Sequence, residues 1–355
     1  MLKRYDISLF TILMLLLAAS LVSCEKESDD PAPDKTPIKF GDVETRASVN
    51  LVDEEDDMRE SGFGVFGYVS GAEGDPLLEN ERVYWDYENG DYENGIWTYN
   101  NTKYWIPDRE FHFFAYYPYF DGKTEGSITR VAANDNGEIG YQLTFETPET
   151  ANFDLLTAYT TVDTGADNFN ASDNVSLAFT HALVNVNLNI WRDGGKHQSD
   201  QKRIRKVVLS NIRKSGTYSS NTYLWAPTNE KLTLEREYEG GSDDDNIGAA
   251  IMENGKLTTG GTAANPFDNM MFIPQTLDLG SPVSLKIQYE LKRQNAANWE
   301  QAELETVLPS VTWEPNKRYT YNVVLSSVTD ITVYYIQTKV DPWGTPQVGG
   351  TVIIK

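Results

Sequence analysis

Three histidines, one cysteine and 53 acidic residues carry most of what acid–base, nucleophilic or metal chemistry this 355-residue chain could perform. His112 and His181 fall inside alternating apolar patterns, where an imidazole serves a core or an interface more readily than it serves as a base. His197 lies in a polar loop between Asp193 and Asp200. No pair of histidines at metal-binding spacing, no nucleophile-elbow glycine–serine pattern and no phosphate-cradling glycine string occurs. The carboxylates are so numerous that sequence alone singles out no glycosidase pair. The acidic runs Asp53 to Asp57 and Asp243 to Asn246 offer oxygen ligands, but without the alternating spacing and placed glycine of a calcium loop. They read as solvated loops. No enzymatic activity, metal site or cofactor is expected.

The stretch from Tyr84 to Trp97 is richer. Trp85, Tyr87, Tyr92 and Trp97 stand among carboxylates and amides, the ingredients of a sugar-binding platform with flat apolar faces and flanking hydrogen-bond partners. The same residues also suit a hairpin whose rings pack on a sandwich. Both outcomes stay open at this stage.

The elements that would position these residues begin with an export signal. Lys3 and Arg4 precede an apolar run, Leu9 to Leu17, followed by the small residues Ala18, Ala19 and Ser20. That is the layout of a signal peptide, and the run is too short to span a bilayer comfortably. Leu21-Val22-Ser23-Cys24 closes it and resembles the bacterial lipobox, which implies acylation of the Cys24 thiol and cleavage before it. A lone thiol in an exported chain otherwise has nothing to pair with. Next, Glu25 to Asp30 and the prolines Pro31, Pro33 and Pro37 read as a solvated tether, and the acidic patch resembles the surface-export signal of Bacteroidetes lipoproteins. The formal net charge of −23 argues against nucleic acid and anionic lipid as partners.

From Ile38 onward the hydrophobic period is two. Val184 to Ile190 sets valine, leucine and isoleucine on one face and three asparagines on the other. Similar alternation runs through Phe111–Phe113, Tyr141–Phe145, Leu285–Tyr289, Tyr319–Val323 and Ile331–Val333. Turn pairs such as Asn89-Gly90, Asn94-Gly95 and Asp193-Gly194 separate such runs and favour positive φ. Long helical patterns are missing, so the expected fold is all-β, sandwiches with Greek-key connections. The polar loop Asp163 to Asn174 is the best candidate for a junction. The expected division is signal 1–23, lipidated tether and propeptide 24–46, an N-terminal sandwich 47–174 and a C-terminal sandwich 175–355.

Seven strings follow one another along the chain: Tyr104-Trp105-Ile106-Pro107, Phe113 to Pro118, Asp154 to Ala158, Phe179 to Val186, Met271 to Gln275, Trp313 to Tyr321 and Asp341-Pro342-Trp343. Together they resemble the fimbrillin-like proteins of Bacteroidetes, subunits of type V pili. The resemblance implies two transthyretin-like β-sandwich domains and a life cycle of lipidation, export to the outer-membrane surface, cleavage after an arginine, and donor-strand exchange with other fimbrial subunits. The cleavage candidate is Arg46, with Ala47 as the new N-terminus; Arg59 is the alternative, and Arg46 could be an ordinary surface arginine. A first strand near Ile38 to Glu44 would fill the groove before cleavage. The tail Thr351-Val352-Ile353-Ile354, behind Gly349-Gly350, is the candidate donor; otherwise it is an edge strand of its own domain. The rival reading is a monomeric surface lipoprotein that binds glycan or host ligand through the Trp85–Trp97 loops.

Overall fold

The computed structural model describes residues 35–45, 58–72, 75–87, 91–120, 126–131, 139–148, 153–195, 199–238, 247–253, 256–278, 280–325 and 331–339. Among these the chain runs through β1 (Phe40–Thr45), β2 (Phe63–Val69), β3 (Leu78–Asp86), β4 (Ile96–Thr98), β5 (Glu110–Tyr117), β6 (Gly126–Val131), β7 (Gly140–Glu146) and β8 (Leu156–Asp163). There follow β9 (Val175–His181), β10 (Val184–Asp193), β11 (Gln201–Arg213), β12 (Ser215–Ser219), β13 (Leu224–Pro227), β14 (Lys231–Glu237), β15 (Ala249–Glu253) and β16 (Lys256–Gly260). The last are β17 (Ala264–Phe272), β18 (Gln275–Leu277), β19 (Ser284–Lys292), β20 (Glu300–Val307), β21 (Val311–Trp313), β22 (Lys317–Leu325) and β23 (Ile331–Lys339). The protein is all-β, as its period-two patterning requires.

A seven-stranded sheet of order β1-β9-β8-β5-β2-β3-β4 forms the first layer. It is covered on both faces, which explains why β2 and β5 read as nearly unbroken apolar runs. Phe63, Val65, Phe111 and Phe113 face one core, together with Ile38, Phe40, Trp105 and Phe179. Phe66, Tyr68, Phe114 and Tyr116 face a second, against the four-stranded sheet β13-β12-β7-β6. A third core lies between the β16-β15-β10-β22-β23 sheet, to which β17 adds by pairing with β10, and the β14-β11-β19-β20 sheet.

The loop after Asp163 closes an antiparallel pair, with Leu156 opposite His181, inside the first sheet. Thus β9, which follows the expected division at 174/175, still belongs to that sheet, and the chain passes to the third core at Ala182-Leu183. Two strands of the later half return: β12 pairs with β7, placing Tyr218 opposite Leu143. β11 and β12 are separated only by Lys214, so one nearly continuous run ties the two regions. At that crossing Thr147 N donates to Lys214 O at 2.8 Å, and the Lys214 ammonium pairs with Glu146 and Glu230.

Two local expectations change. Gly95 is extended, with φ −76° and ψ 179°, and Gly194 is not among the positive-φ glycines. Several left-handed positions instead fall on Asn80, Asn211, Asn269, Asn295 and Asn316, whose short amides tolerate that region. The polar face of β10 is also buried: Asn185 is 1% and Asn187 7% exposed. The asparagines bond one another and the neighbouring strands instead of water. Asn187 Nδ2 donates to Asn185 Oδ1 at 2.9 Å, Arg318 Nε donates to the same oxygen at 3.1 Å, and Asn189 Nδ2 donates to Asn322 Oδ1 at 3.2 Å.

Candidate functional site

The N-terminal segment is stitched into the first sheet from both sides at its start. Trp105 N donates to Thr36 O, Pro37 bridges Tyr104, and Ile38 N donates to Lys103 O at 2.8 Å. Tyr99 clamps the turn: its hydroxyl donates to Ile38 O at 2.9 Å and accepts from Lys103 N at 3.0 Å. Beyond Ile38 the backbone joins β9 in a parallel ladder, Phe40 opposite Val175 and Thr45 opposite Phe179, and Val175 N donates to Lys39 O at 2.7 Å. β1 is therefore an edge strand, paired on one side only.

Its anchoring is apolar. Ile38 is 1% and Phe40 3% exposed. The Phe40 ring meets Phe63, Tyr99 and Phe113 edge to face, with centroids 6.4, 5.6 and 5.7 Å away. Each buried side chain of this size is worth about 1.5–3 kcal/mol, so the pair contributes on the order of 3–6 kcal/mol. That is a large part of a domain's usual net stability of about 5–15 kcal/mol. Lifting β1 away would bare Phe63, Phe113, Val175 and Leu177 along with the backbone edge of β9.

At the far end of the same sheet, β3 and β4 pair Trp85 with Trp97 and Asp86 with Ile96. The two indoles meet at 5.2 Å, edge to face; Trp97 continues onto Phe63 at 5.0 Å. The Arg59 guanidinium lies over the Trp85 ring at 4.7 Å, Met58 beside it is fully buried, and Gly62 N donates to Met58 O. Tyr87 and Ile96 are exposed, at 45% and 66%. The Tyr92 backbone belongs to the short turn Tyr92–Asn94. The aromatic run is thus a hairpin packed on the sandwich, with a rim left open.

The sheet curls until its two edges face each other. Between β1 and β4 runs a groove of about 700 Å³, bordered by Ile38, Phe40, Trp85, Trp97, Tyr99 and Asn174.

Of the histidines, His181 is 2% exposed with Nδ1 2.5 Å from Asp154 Oδ2, and His112 is 8% exposed. His112 comes nearest to a catalytic arrangement: Nε2 lies 2.8 Å from Ser70 Oγ and Nδ1 2.6 Å from Tyr159 Oη. Two backbone donors around Ser70 are already used: Ser70 N is bonded to Glu110 O and Ala72 N to Val69 O. Among the described residues no group of three His, Cys, Asp or Glu side chains is gathered for a metal. Cys24, Arg46, Ala47, His197, Thr351, Val352, Ile353, Ile354 and both acidic runs lie outside the described residues.

Comparison with known proteins places this architecture. A family model described as fimbrillin-like matches residues 45–343. A search of curated proteins gave no significant match. Among solved structures, a fimbrial protein from Bacteroides vulgatus superposes with a TM-score of 0.61 at 17% identity, covering 86% of this chain and 99% of its own. A candidate cell adhesion protein from Bacteroides uniformis aligns over 87% of this chain and 99% of its own, at 15% identity and a TM-score of 0.41.

Proposed function

This chain belongs to the fimbrillin-like family, and from that premise we propose that it is a cell-surface fimbrial subunit assembled by strand exchange. The precursor is lipidated at Cys24, exported to the outer-membrane surface, cut after Arg46 so that Ala47 becomes the N-terminus, and then joined to other subunits of its kind. The work is mechanical and adhesive.

The observation that carries this reading is the seat of β1. It is N-terminal, paired on one side only, and plugged into the core by Phe40, with Ile38 buried two residues ahead of it. A strand so placed can be removed without unthreading anything, and its loss leaves both a hydrogen-bonding edge and an apolar trough. An extended segment from another subunit restores both. The tail Thr351-Val352-Ile353-Ile354 is the donor in this account, with Gly349-Gly350 as its hinge. Arg46 is favoured over Arg59 as the cut site because Arg46 directly follows β1, while Arg59 is stacked on Trp85 next to a buried Met58.

Limited digestion of the secreted precursor with an arginine-specific protease tests the proposal, read by N-terminal sequencing and unheated SDS gels. A new N-terminus at Ala47 followed by a heat-sensitive ladder is expected. A cleanly trimmed monomer that never forms a ladder would overturn it.

A further inference from the structure

The groove between β1 and β4 combines features that strand exchange does not require. It is about 700 Å³, within the range that holds small ligands. Its border mixes aromatic and polar groups: Trp85, Trp97 and Tyr99 on the hairpin side, Thr98 and Thr102 beside them, and Asn174 across the gap. Trp85 and Trp97 are both partly exposed there.

Two glycines make the arrangement possible by close approach. A β-carbon on Gly41 would lie 2.3 Å from the Asn174 amide nitrogen, and one on Gly95 would lie 2.5 Å from the Trp85 indole. Each bare backbone position leaves room for a groove-lining side chain at its height. Arg59 holds the Trp85 ring in place from one side, at 4.7 Å. The outer edges of β1 and β4, the two ends of the sheet, add main-chain donors and acceptors along the gap.

We propose that this groove is a binding site for a neutral oligosaccharide. The partly exposed Trp85 and Trp97 indoles match the C–H faces of a pyranose, while the Asn174 amide, the Thr98 and Thr102 hydroxyls and the strand edges match its ring of hydroxyls. Among the described residues the groove's lining holds no carboxylate and one cation, Lys39, so discrimination against sulfated or sialylated chains rests on the overall formal charge of −23. One wall is the segment Ile38 to Gly41, so the site is complete only while a strand occupies the β1 position. The proposal concerns the uncut chain and does not depend on polymerisation.

The test uses the full chain carrying Arg46→Ala, which keeps its leader whatever the fate of the filament. Maltotriose, xylotriose, mannotriose and N-acetylchitotriose are titrated by tryptophan fluorescence and calorimetry, with sialyllactose as the anionic comparison. At least one neutral trisaccharide binds saturably and more tightly than sialyllactose. Trp85→Ala weakens that binding by about tenfold or more, the loss of one stacking contact. Asn174→Ala weakens it by about fivefold, one hydrogen bond's worth, with an unchanged melting curve because that side chain is exposed. Absence of saturable binding by every neutral sugar overturns the proposal. So does equal affinity in folded Asn174→Ala and the parent chain, or a preference for sialyllactose.

Discussion

Buried phenols among the described residues shape how the folded chain responds to alkali. Burial pushes the Tyr218 and Tyr289 hydroxyls up to about 12 and drives Tyr116 and Tyr141 further in the same direction. Their unfolded value is 10.0, so the folded state retains protons that the unfolded state loses. The stability they lend is complete below pH 10, falls as the pH rises through their folded values, and makes unfolding steepen in that window. Melting curves between pH 8 and 12, with phenolate absorbance recorded alongside, should show ionisation of these groups coinciding with unfolding. Glu290 works in the opposite direction. Hydrogen bonds from Arg205 and then Arg203 hold its carboxyl below 4.5, so its contribution is present above that value and is lost on acidification. At this scale the sequence was only partly legible. Alternation along β10 named the two faces correctly, but not that Asn185 and Asn187 would be buried, since a strand's own pattern does not show what covers its polar side. Asn174, Gly41 and Trp85 escaped as a set because they are distant in the chain and meet only where the sheet curls.

Among the elements, β1 and the β18–β21 region give contrasting predictions. Phe40→Ala removes a ring packed on Phe63, Tyr99 and Phe113, and should cost about 3–5 kcal/mol in urea unfolding. It should also speed hydrogen exchange at Val175 N, which bonds to Lys39 O. Trp313→Ala, at the end of β21, strips a fully buried indole that stacks on Phe272 at 5.6 Å and donates to Tyr321 Oη at 2.8 Å. A similar loss of about 3–5 kcal/mol is expected, without faster exchange at Val175 N under native conditions. Equal acceleration by both variants would show that β1 opens only with global unfolding. The strands that period two identified are present: Val184–Ile190 lies in β10, Leu285–Tyr289 in β19 and Tyr319–Val323 in β22. Their partners were not legible, because parity fixes a face and leaves the neighbour free. The return of β12 to pair with β7 is the clearest case.

For the whole molecule, the central claim is that β1 is a removable plug whose seat another strand can take. The loop after Asp163 looked like a boundary from composition, yet it joins two strands of one sheet; polar loops mark turns and junctions alike. The family resemblance supplied what pattern could not, because it rests on several ordered strings spread along the chain. The most direct test is to lock the plug. Glu44 and Ala178 are Cα partners on β1 and β9, within the spacing that a disulfide between adjacent strands can bridge. In a Cys24→Ser background, Glu44→Cys with Ala178→Cys should form that bond on oxidation. The oxidised protein, cut after Arg46, should stay monomeric with its leader tethered, and reduction should release the leader and start assembly. Assembly of the oxidised, cut protein at the rate of the reduced one would contradict the account.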